Sequence, residues 1–266
     1  MSLNIRGRLL SLERPLVMGI VNATDDSFAF SCSHISEAEV LTVAARAVQE
    51  GADIVDVGGC STRPGSKPVD AAEEWRRLEI ALCAIRGAYP EAVLSVDTFR
   101  AEIARKAVEK YGVGIINDVS GGSEEMFGTV ADLGVAYVLT HNAPLTDERP
   151  VSVQVLEFLV RKSDELHRMG VNDVIGDAGF GFNKTEAQNY ALLRDLGDLR
   201  HTGLPLLVGL SRKSMFYKPL GVTPDSDTAL AATIAADTLA LQSGAKILRV
   251  HDVSAAVATI RVMSSV

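Results

Sequence analysis

The sequence is poor in cysteine, lacks long hydrophobic runs and has no excess of basic residues. Its three cysteines are odd in number, far apart and without the paired spacing of a zinc site or a disulfide framework, which favours a reducing cytosol. They are Cys32, Cys60 and Cys83. No apolar run reaches the roughly 18 residues of a membrane span, and four charged residues interrupt the first 22, unlike the core of a signal peptide. We therefore expect a soluble, cytoplasmic protein with no membrane partner.

The charge balance is acidic. The 26 Lys and Arg residues stand against 34 Asp and Glu residues, a formal net charge of -8. This balance argues against a general surface for nucleic acid or anionic membranes, because both need a broad positive field. It leaves room for a small basic pocket, so any phosphate site must be local and its ligand a small molecule.

Eight apolar, β-branched runs recur along the chain and are predicted strands. They cover residues 16–22, 53–59, 93–98, 114–119, 137–141, 173–179, 206–210 and 247–253. Segments of helical periodicity lie between most of them, which indicates a parallel sheet covered on both faces. Although 266 residues also allow two domains, eight such units fit a closed (β/α)8 barrel, a TIM barrel of the α/β class, better than an open doubly wound sheet.

The predicted organisation is one barrel domain over residues 16–266, preceded by an N-terminal extension over residues 1–15. In the extension, "NIRGRLLSL" (residues 4–12) could form a small hairpin that closes the bottom of the barrel.

Polar side chains concentrate at the C-terminal ends of the predicted strands. These are Asn22, Asp97, Thr98, Asn117, Asp118, Thr140, His141, Asp177, Arg249 and His251, while "GGCSTRPGS" and "SRKS" follow the second and seventh runs. Active sites of such barrels occupy this face. The carboxylates and the amide offer a hydrogen-bonding edge for a flat, nitrogen-rich ring, and Lys213, Arg249 and Arg63 offer cations for an anion.

The last strand, "KILRVHDV", carries two basic residues in an otherwise apolar run. Arg249 and His251 share a face if the strand continues, and a buried unpaired charge costs several kcal/mol, roughly. The following helix is predicted to begin with Asp252 or Ser254 as N-cap, which makes its N-terminus a phosphate cradle. We therefore predict that a bound anion compensates these two side chains.

Six motifs occur in an order that resembles the dihydropteroate synthase family. They are "MGIVNATDDSF", "GADIVDVGGCSTRPGS", "SVDTFRAEIARKAVEKYGVGIINDVSG", "DAGFGFNKT", "GLSRKS" and "LRVHDV", spanning about residues 16–255. The resemblance implies a transferase of folate biosynthesis that condenses 6-hydroxymethyl-7,8-dihydropterin pyrophosphate with p-aminobenzoate and releases pyrophosphate. It also implies a magnesium ion, a homodimer and a target of sulfonamides.

The resemblance also implies roles for individual residues. The pterin ring is expected to contact Asp97, Asn117, Asp177 and Lys213. The pyrophosphate is expected near Asn22, Arg249 and His251, with Asn22 at the magnesium ion. The p-aminobenzoate side is expected to comprise Thr62, Arg63, Pro64, Phe182 and Ser214. The residues expected to be catalytic are Asp97, Lys213, Arg249 and His251. Because the aromatic amine is neutral at working pH, no strong base is required, which explains why no nucleophile triad is seen.

Several positions depart from the family pattern. They are Asp25, residues 29–32, Cys60, Thr140 and Ala178. We expect these changes to alter loop order, ring packing and turnover more than pterin binding. Two alternatives stay open on the sequence: a pterin-domain methyltransferase that acts with a corrinoid partner, and a pterin-binding protein with weakened catalysis.

Overall fold

The structure is a computed structural model that describes residues 1–23, 36–60, 69–146 and 148–265. Within these residues, ten strands form two sheets. The first sheet is the antiparallel pair β1 (Ser2–Ile5) and β2 (Arg8–Ser11). The second is a closed parallel barrel in the order β10-β3-β4-β5-β6-β7-β8-β9. The predicted eight-stranded barrel and the N-terminal hairpin are both confirmed.

Six of the eight barrel strands are shorter than the predicted runs, and β3 and β7 have the predicted length. The barrel strands are β3 (Leu16–Asn22), β4 (Ile54–Gly58), β5 (Val93–Asp97), β6 (Ile115–Asp118), β7 (Ala136–Thr140), β8 (Val174–Asp177), β9 (Leu206–Val208) and β10 (Ile247–Val250). The largest differences are in β8 and β10, and β10 ends at Val250 because a helix already begins at Val253.

Helices cover the outside of the barrel. They are α1 (Glu37–Gln49), α2 (Ala71–Ala88), α3 (Ala101–Tyr111), α4 (Glu124–Leu133), α5 (Val151–Arg168), α6 (Glu186–Arg194), α7 (Ser214–Tyr217), α8 (Asp227–Gln242) and α9 (Val253–Met263), with a 3-10 helix over Leu196–Thr202. Their ends follow local chemistry. Ser36 and Glu39 form a capping box at the start of α1, and Gly112 ends α3 with φ of 65°. In the described residues, no helix is long and apolar enough to cross a membrane.

The hairpin closes the N-terminal end of the barrel. Leu3, Ile5 and Leu12 are buried together with inward-facing residues of the barrel strands. The backbone N–H of Asn4 donates to the Asp173 carboxylate over 2.8 Å. Gly114 lets Ile5 approach, since a Cβ at that glycine would lie 2.3 Å from Ile5 Cγ2. The barrel therefore has a hydrophobic floor.

The strand period places the polar residues inside the opposite end. Ile54, Ile115 and Ile175 belong to the buried inner cluster near the hairpin. Since side chains alternate along a strand, Asp56, Asn117 and Asp177 point inward two residues later on the same strands. The sequence thus changes from apolar to polar along the inside of the barrel, from floor to mouth.

Candidate active site

Arg249 lies at the centre of the inner polar layer. Its Nε donates to Asp56 Oδ2 over 2.7 Å, and its Nη2 donates to Asp97 Oδ2 over 2.8 Å. Burial alone would lower the pKa of Arg249, but the two carboxylates raise it above its ordinary value. The sequence predicts that a bound anion compensates this charge. In the structure, the carboxylates of Asp56 and Asp97 already compensate it.

Asp97 is a buried carboxyl group that lies among other acids. Its burial raises its pKa to about 7, Arg249 opposes the rise, and the charges of Asp56, Asp118 and Asp177 add to it. Repulsion between acids that share a small, dry space has this effect. Asp97 therefore holds its proton more tightly in the folded protein than a free aspartic acid does.

Asp56 is a site residue that sequence analysis missed. It is fully buried, and its Oδ2 accepts from both Arg249 Nε and Asn117 Nδ2, the latter over 3.0 Å. The available signal was a carboxylate in the middle of the apolar run "DIVDVGG", on the inward face two residues after Ile54. Asp56 fixes the orientation of the amide that the ring is expected to contact.

Three buried polar atoms of this layer have no hydrogen-bond partner among the described residues: Asp56 Oδ1, Ser95 Oγ and Asn117 Oδ1. They lie on neighbouring strands, with Asp56 paired in register with Ser95, and Asp97 with Asn117. A buried polar group without a partner costs about 1–3 kcal/mol. Because the Asn117 amide nitrogen is engaged by Asp56, its oxygen remains to accept an N–H from a ligand.

Asp177 and Lys213 complete the inner group. Asp177 Oδ1 accepts from the Gly179 N–H over 2.9 Å, and its Oδ2 accepts from Thr140 Oγ1 over 3.3 Å. Burial raises the pKa of Asp177. Burial lowers the pKa of Lys213 to about 8, and Asp177 opposes this change. An ammonium group and a carboxyl group thus face the same space.

Lys213 is separated from its neighbour Arg212 by a turn in the backbone. Arg212 has φ of 52°, in the left-handed region. Its guanidinium pairs with Asp252 over 2.7 and 2.9 Å, away from the inner group. Lys213 Nζ instead lies 4.9 Å from the centre of the Phe182 ring. Of the two cations in "SRKS", only Lys213 reaches the pocket.

The N-terminus of α9 differs from the predicted phosphate cradle. Asp252 occupies the N-cap position but makes no capping hydrogen bond, because its carboxylate binds Arg212. The Ser254 N–H donates to the Glu50 carboxylate over 3.1 Å. A protein carboxylate therefore already binds one of the N–H groups that the prediction reserved for a phosphate. Tertiary contacts between residues far apart in sequence account for the difference.

The remaining predicted residues surround the mouth. His251 is exposed beyond the end of β10, where its Nδ1 lies 3.0 Å from Ser211 Oγ. Asn22 ends β3 beside Gly58, whose added Cβ would lie 3.4 Å from Asn22 Oδ1. Ser214 is exposed at the start of α7, directly after Lys213. Thr62, Arg63 and Pro64 lie outside the described residues, as do Asp25 and residues 29–32.

The other departures from the family pattern have definite surroundings. Thr140 is fully buried and donates to Asp177, so a polar side chain takes part in the inner hydrogen bonds. Ala178 is 1% exposed and sits in the apolar core between strands and helices. Cys60 is half-buried, two residues after the end of β4. The inner residues expected to contact the ring remain together despite these changes.

The fold and the site define an α/β-barrel enzyme with a closed hydrophobic floor and a polar mouth that carries acids, an amide and cations. Residues 18–251 match the family model described as "Pterin binding enzyme". The dihydropteroate synthase of Escherichia coli strain K12 is 37% identical over 275 residues, covering 100% of this chain and 96% of that protein. The chain belongs to the dihydropteroate synthase family.

Solved structures give the same result. The Xanthomonas albilineans dihydropteroate synthase with 4-aminobenzoic acid has a TM-score of 0.91 and 40% identity, covering 99% of this chain and 97% of that one. The same enzyme in complex with 7,8-dihydropteroate has a TM-score of 0.89 and 37% identity, covering 100% and 98%.

Proposed function

We propose that this chain is a dihydropteroate synthase, a transferase that joins 6-hydroxymethyl-7,8-dihydropterin pyrophosphate to p-aminobenzoate in folate biosynthesis. The observation that carries the proposal is the convergence of Asp97, Asn117, Asp177 and Lys213 at one end of a barrel of this family. Neither alternative from the sequence has comparable support, since full-length relatives are named dihydropteroate synthases.

Recognition of the pterin ring rests on acceptors and one cation. Asn117 Oδ1 has no partner among the described residues, and the Asp177 carboxyl group is buried at the same end of the barrel, two strands away. The Asn117 oxygen and the Asp177 carboxyl group both suit the N–H edge of a pterin, which offers several donors in one plane. Lys213 supplies N–H donors for an oxygen or nitrogen of the ring. A ring that satisfies these groups removes the cost of leaving them unpaired.

The reaction breaks the bond between the pterin methylene carbon and the pyrophosphate oxygen. The amine nitrogen of p-aminobenzoate donates its lone pair to that carbon and then releases a proton to water, so one C–O bond is exchanged for one C–N bond. Positive charge develops on the methylene group and negative charge on pyrophosphate. Fixed charges that stabilise both fragments are the main source of catalysis. Asp97 provides a carboxylate for the first fragment, and Arg249 a guanidinium for the second.

Pyrophosphate binding is assigned to the space between Arg249 in the inner layer and the residues around the mouth. Arg249 retains its charge, His251 is exposed at the end of β10, and Asn22 offers an amide oxygen. In the described residues, no group of three or more acidic, His or Cys side chains could hold a metal ion. This donor set fits Mg²⁺ as it is held by substrate phosphates, water and one or two protein oxygens, with Asn22 as the protein ligand. When bound, the ion would supply positive charge to the leaving group.

The p-aminobenzoate side is assigned to Phe182 and Ser214, together with Thr62, Arg63 and Pro64, which follow β4 in the sequence. Phe182 is half-buried against Lys213, and Ser214 is exposed next to it. An aromatic ring beside an ammonium group suits a flat aromatic carboxylate. The second substrate would therefore bind above the pterin, closer to solvent.

The test is an assay of pyrophosphate release with both substrates, magnesium and the purified chain. We expect release only when both substrates are present, together with 7,8-dihydropteroate identified by mass spectrometry. Lys213→Met is expected to lower activity at least tenfold, whereas Lys110→Met, at an exposed position on α3, should have no effect. No release above background with both substrates would refute the proposal, and tight pterin binding without turnover would instead favour the weakened pterin-binding protein.

The same proposal includes a homodimer built on α8. Ile234 is 36% exposed and Leu239 is 50% exposed, with exposed Ala231 and Ala235 on the same side. A helix that faces water normally presents charged or polar residues there. A groove of about 940 Å³ adjoins this face. A second copy of the chain would cover both the helix face and the groove. The proposed location of the enzyme is the cytosol, because its few cysteines need no oxidising compartment.

A further inference from the structure

The loop after β8 is held by one lysine that the mechanism above does not use. Lys184 Nζ donates to the carbonyl oxygens of Gly179, His141 and Phe182 over 2.8, 3.1 and 3.2 Å. It also lies 3.0 Å from His141 Nδ1. An ammonium group has three N–H donors arranged tetrahedrally, which suits carbonyls that converge from three directions. One side chain thus ties three points of the backbone together.

Burial and the charge of Lys184 determine the protonation state of its neighbour His141. Burial lowers the pKa of Lys184 to about 7, Asp177 opposes the change, and Lys213 adds to it. Burial and the charge of Lys184 lower the pKa of His141 to about 3. The imidazole is therefore neutral, its Nδ1 lies 3.0 Å from Lys184 Nζ, and its ring packs against Phe158 with ring centroids 4.9 Å apart. The backbone carbonyl of His141 accepts from Lys184, and its imidazole carries no charge near neutral pH.

The loop is packed tightly on both sides. Gly179 has φ of 68°, and a Cβ there would lie 2.0 Å from the His141 carbonyl oxygen. Gly181 has φ of 82°, and a Cβ there would lie 3.3 Å from Lys213 Nζ. No other residue fits these conformations without strain. The loop backbone is therefore packed against His141, next to the end of β7, and against Lys213.

This loop sets three features of the site. The Gly179 N–H donates to Asp177, the Gly181 backbone lies beside Lys213, and the Phe182 ring faces Lys213 Nζ. Lys184 binds the carbonyls of the first and the last of these residues and so fixes the distance between them. Lys184 therefore influences the geometry of the site through the loop backbone.

We infer that Lys184 is a positioning residue that holds the loop of residues 178–184 so that Phe182 and Lys213 are placed for the aromatic substrate. The inference rests on the proposed function. Because Lys184 contacts the loop and not the substrate, its loss should weaken binding of p-aminobenzoate more than it slows the chemical step. A lysine with a purely structural role would lower stability and leave the kinetics of the folded enzyme unchanged.

The experiment compares Lys184→Met with wild type and with Lys162→Met, a matched change of a half-buried lysine on α5 that lies over Phe127 at 4.9 Å. We expect Lys184→Met to raise KM for p-aminobenzoate about tenfold or more and to change kcat less than threefold. Lys162→Met should leave both constants unchanged. If Lys184→Met does not fold, Lys184→Gln, which keeps two N–H donors, should show a smaller rise in KM.

A double-mutant cycle with Phe182→Ala tests the route of the effect. If Lys184 acts through Phe182, Lys184→Met should raise KM by less than twofold in the Phe182→Ala background. Independent effects that multiply, or a folded Lys184→Met enzyme with wild-type KM, would overturn the inference. Turnover by the wild-type chain is measured alongside, so failure of the proposed function would be seen separately as a wild type without product.

Discussion

Asp97 and Arg249 form an ion pair inside the barrel, with Arg249 Nη2 donating to Asp97 Oδ2 over 2.8 Å. One partner is expected to contact the pterin and the other the pyrophosphate. We therefore expect their contact to couple the two halves of the first substrate electrostatically, since a change in charge at one alters the pKa of the other. Asp56 takes part in this coupling because it shares the same guanidinium.

Arg249→Ala should affect both stability and substrate choice. Removing the guanidinium leaves Asp56 and Asp97 without their partner, and breaking a buried pair costs about 3 kcal/mol. The affinity for the pyrophosphate substrate should fall far more than the affinity for free pterin. Urea unfolding and calorimetry measure the two effects. Arg149→Ala, which removes an exposed pair with Glu157, serves as the control. Equal losses for both ligands would contradict the assignment of Arg249 to pyrophosphate.

Asp97 should make stability fall as pH rises. Its pKa is about 7 in the fold and 3.8 as a free side chain, so the folded state binds more protons between these values. Stability contributed by the protonated group is therefore present at low pH and lost as pH approaches and passes 7. Arg249, Lys213 and the neighbouring acids set the size of the effect.

The Asp97→Asn variant isolates this contribution. Between pH 5 and pH 8, roughly, wild type should lose about 1–3 kcal/mol of unfolding free energy that the variant does not lose. Urea titrations at several pH values provide the measurement. Parallel pH profiles for the two proteins would show that Asp97 has an ordinary pKa.

Asp56→Asn should weaken pterin binding although Asp56 is not expected to contact the ring. The change replaces the acceptor that orients the Asn117 amide and weakens the pair with Arg249. We expect a loss of about tenfold in affinity for free pterin, equal to about 1.4 kcal/mol. Asp132→Asn, at an exposed position on α4, is the matched control and should bind as wild type. Unchanged binding by Asp56→Asn would rule out this role.

The hairpin and β6 should respond to a paired size change. Gly114→Ala places a Cβ against Ile5 and should cost about 1–2 kcal/mol. Ile5→Ala should cost about 2 kcal/mol through the space it leaves. The double variant should be less destabilised than the sum, because the new methyl group meets no Cγ2. Gly128→Ala, with no atom within 4 Å of its Cβ, is the control. Full additivity would contradict the contact.

Leu239→Glu should dissociate the proposed dimer. A carboxylate at the exposed apolar face of α8 would have to be desolvated in an interface. Sedimentation velocity should show a dimer for wild type and a shift to monomer for the variant. Val262→Glu, 64% exposed on α9, tests whether any new surface charge has this effect. A monomeric wild type at micromolar concentration would exclude the dimer.

The barrel and much of the site could be predicted because their signals are local. Apolar runs with polar C-terminal ends recur eight times, and Asp97, Asn117 and Asp177 lie at those ends, where parallel strands bring them together. Asp56 has no such signal, because it lies within its strand and its partner Arg249 is 193 residues away. The contact between Glu50 and Ser254 spans 204 residues and likewise leaves no local pattern. Partners across the barrel depend on closure, which short-range periodicity does not encode.

The hydrophobic floor has a consequence for the order of events. Leu3, Ile5 and Leu12 fill the N-terminal end of the barrel. In the described part of the barrel, substrates and products therefore enter and leave through the mouth. A ring that binds at Asp97 and Asn117 must pass the position of Phe182 before a second aromatic molecule occupies it. We therefore expect sequential kinetics in which the pterin enters first and p-aminobenzoate second. A binding site with one opening is filled from its inner end, and the bound molecules leave it in the reverse order.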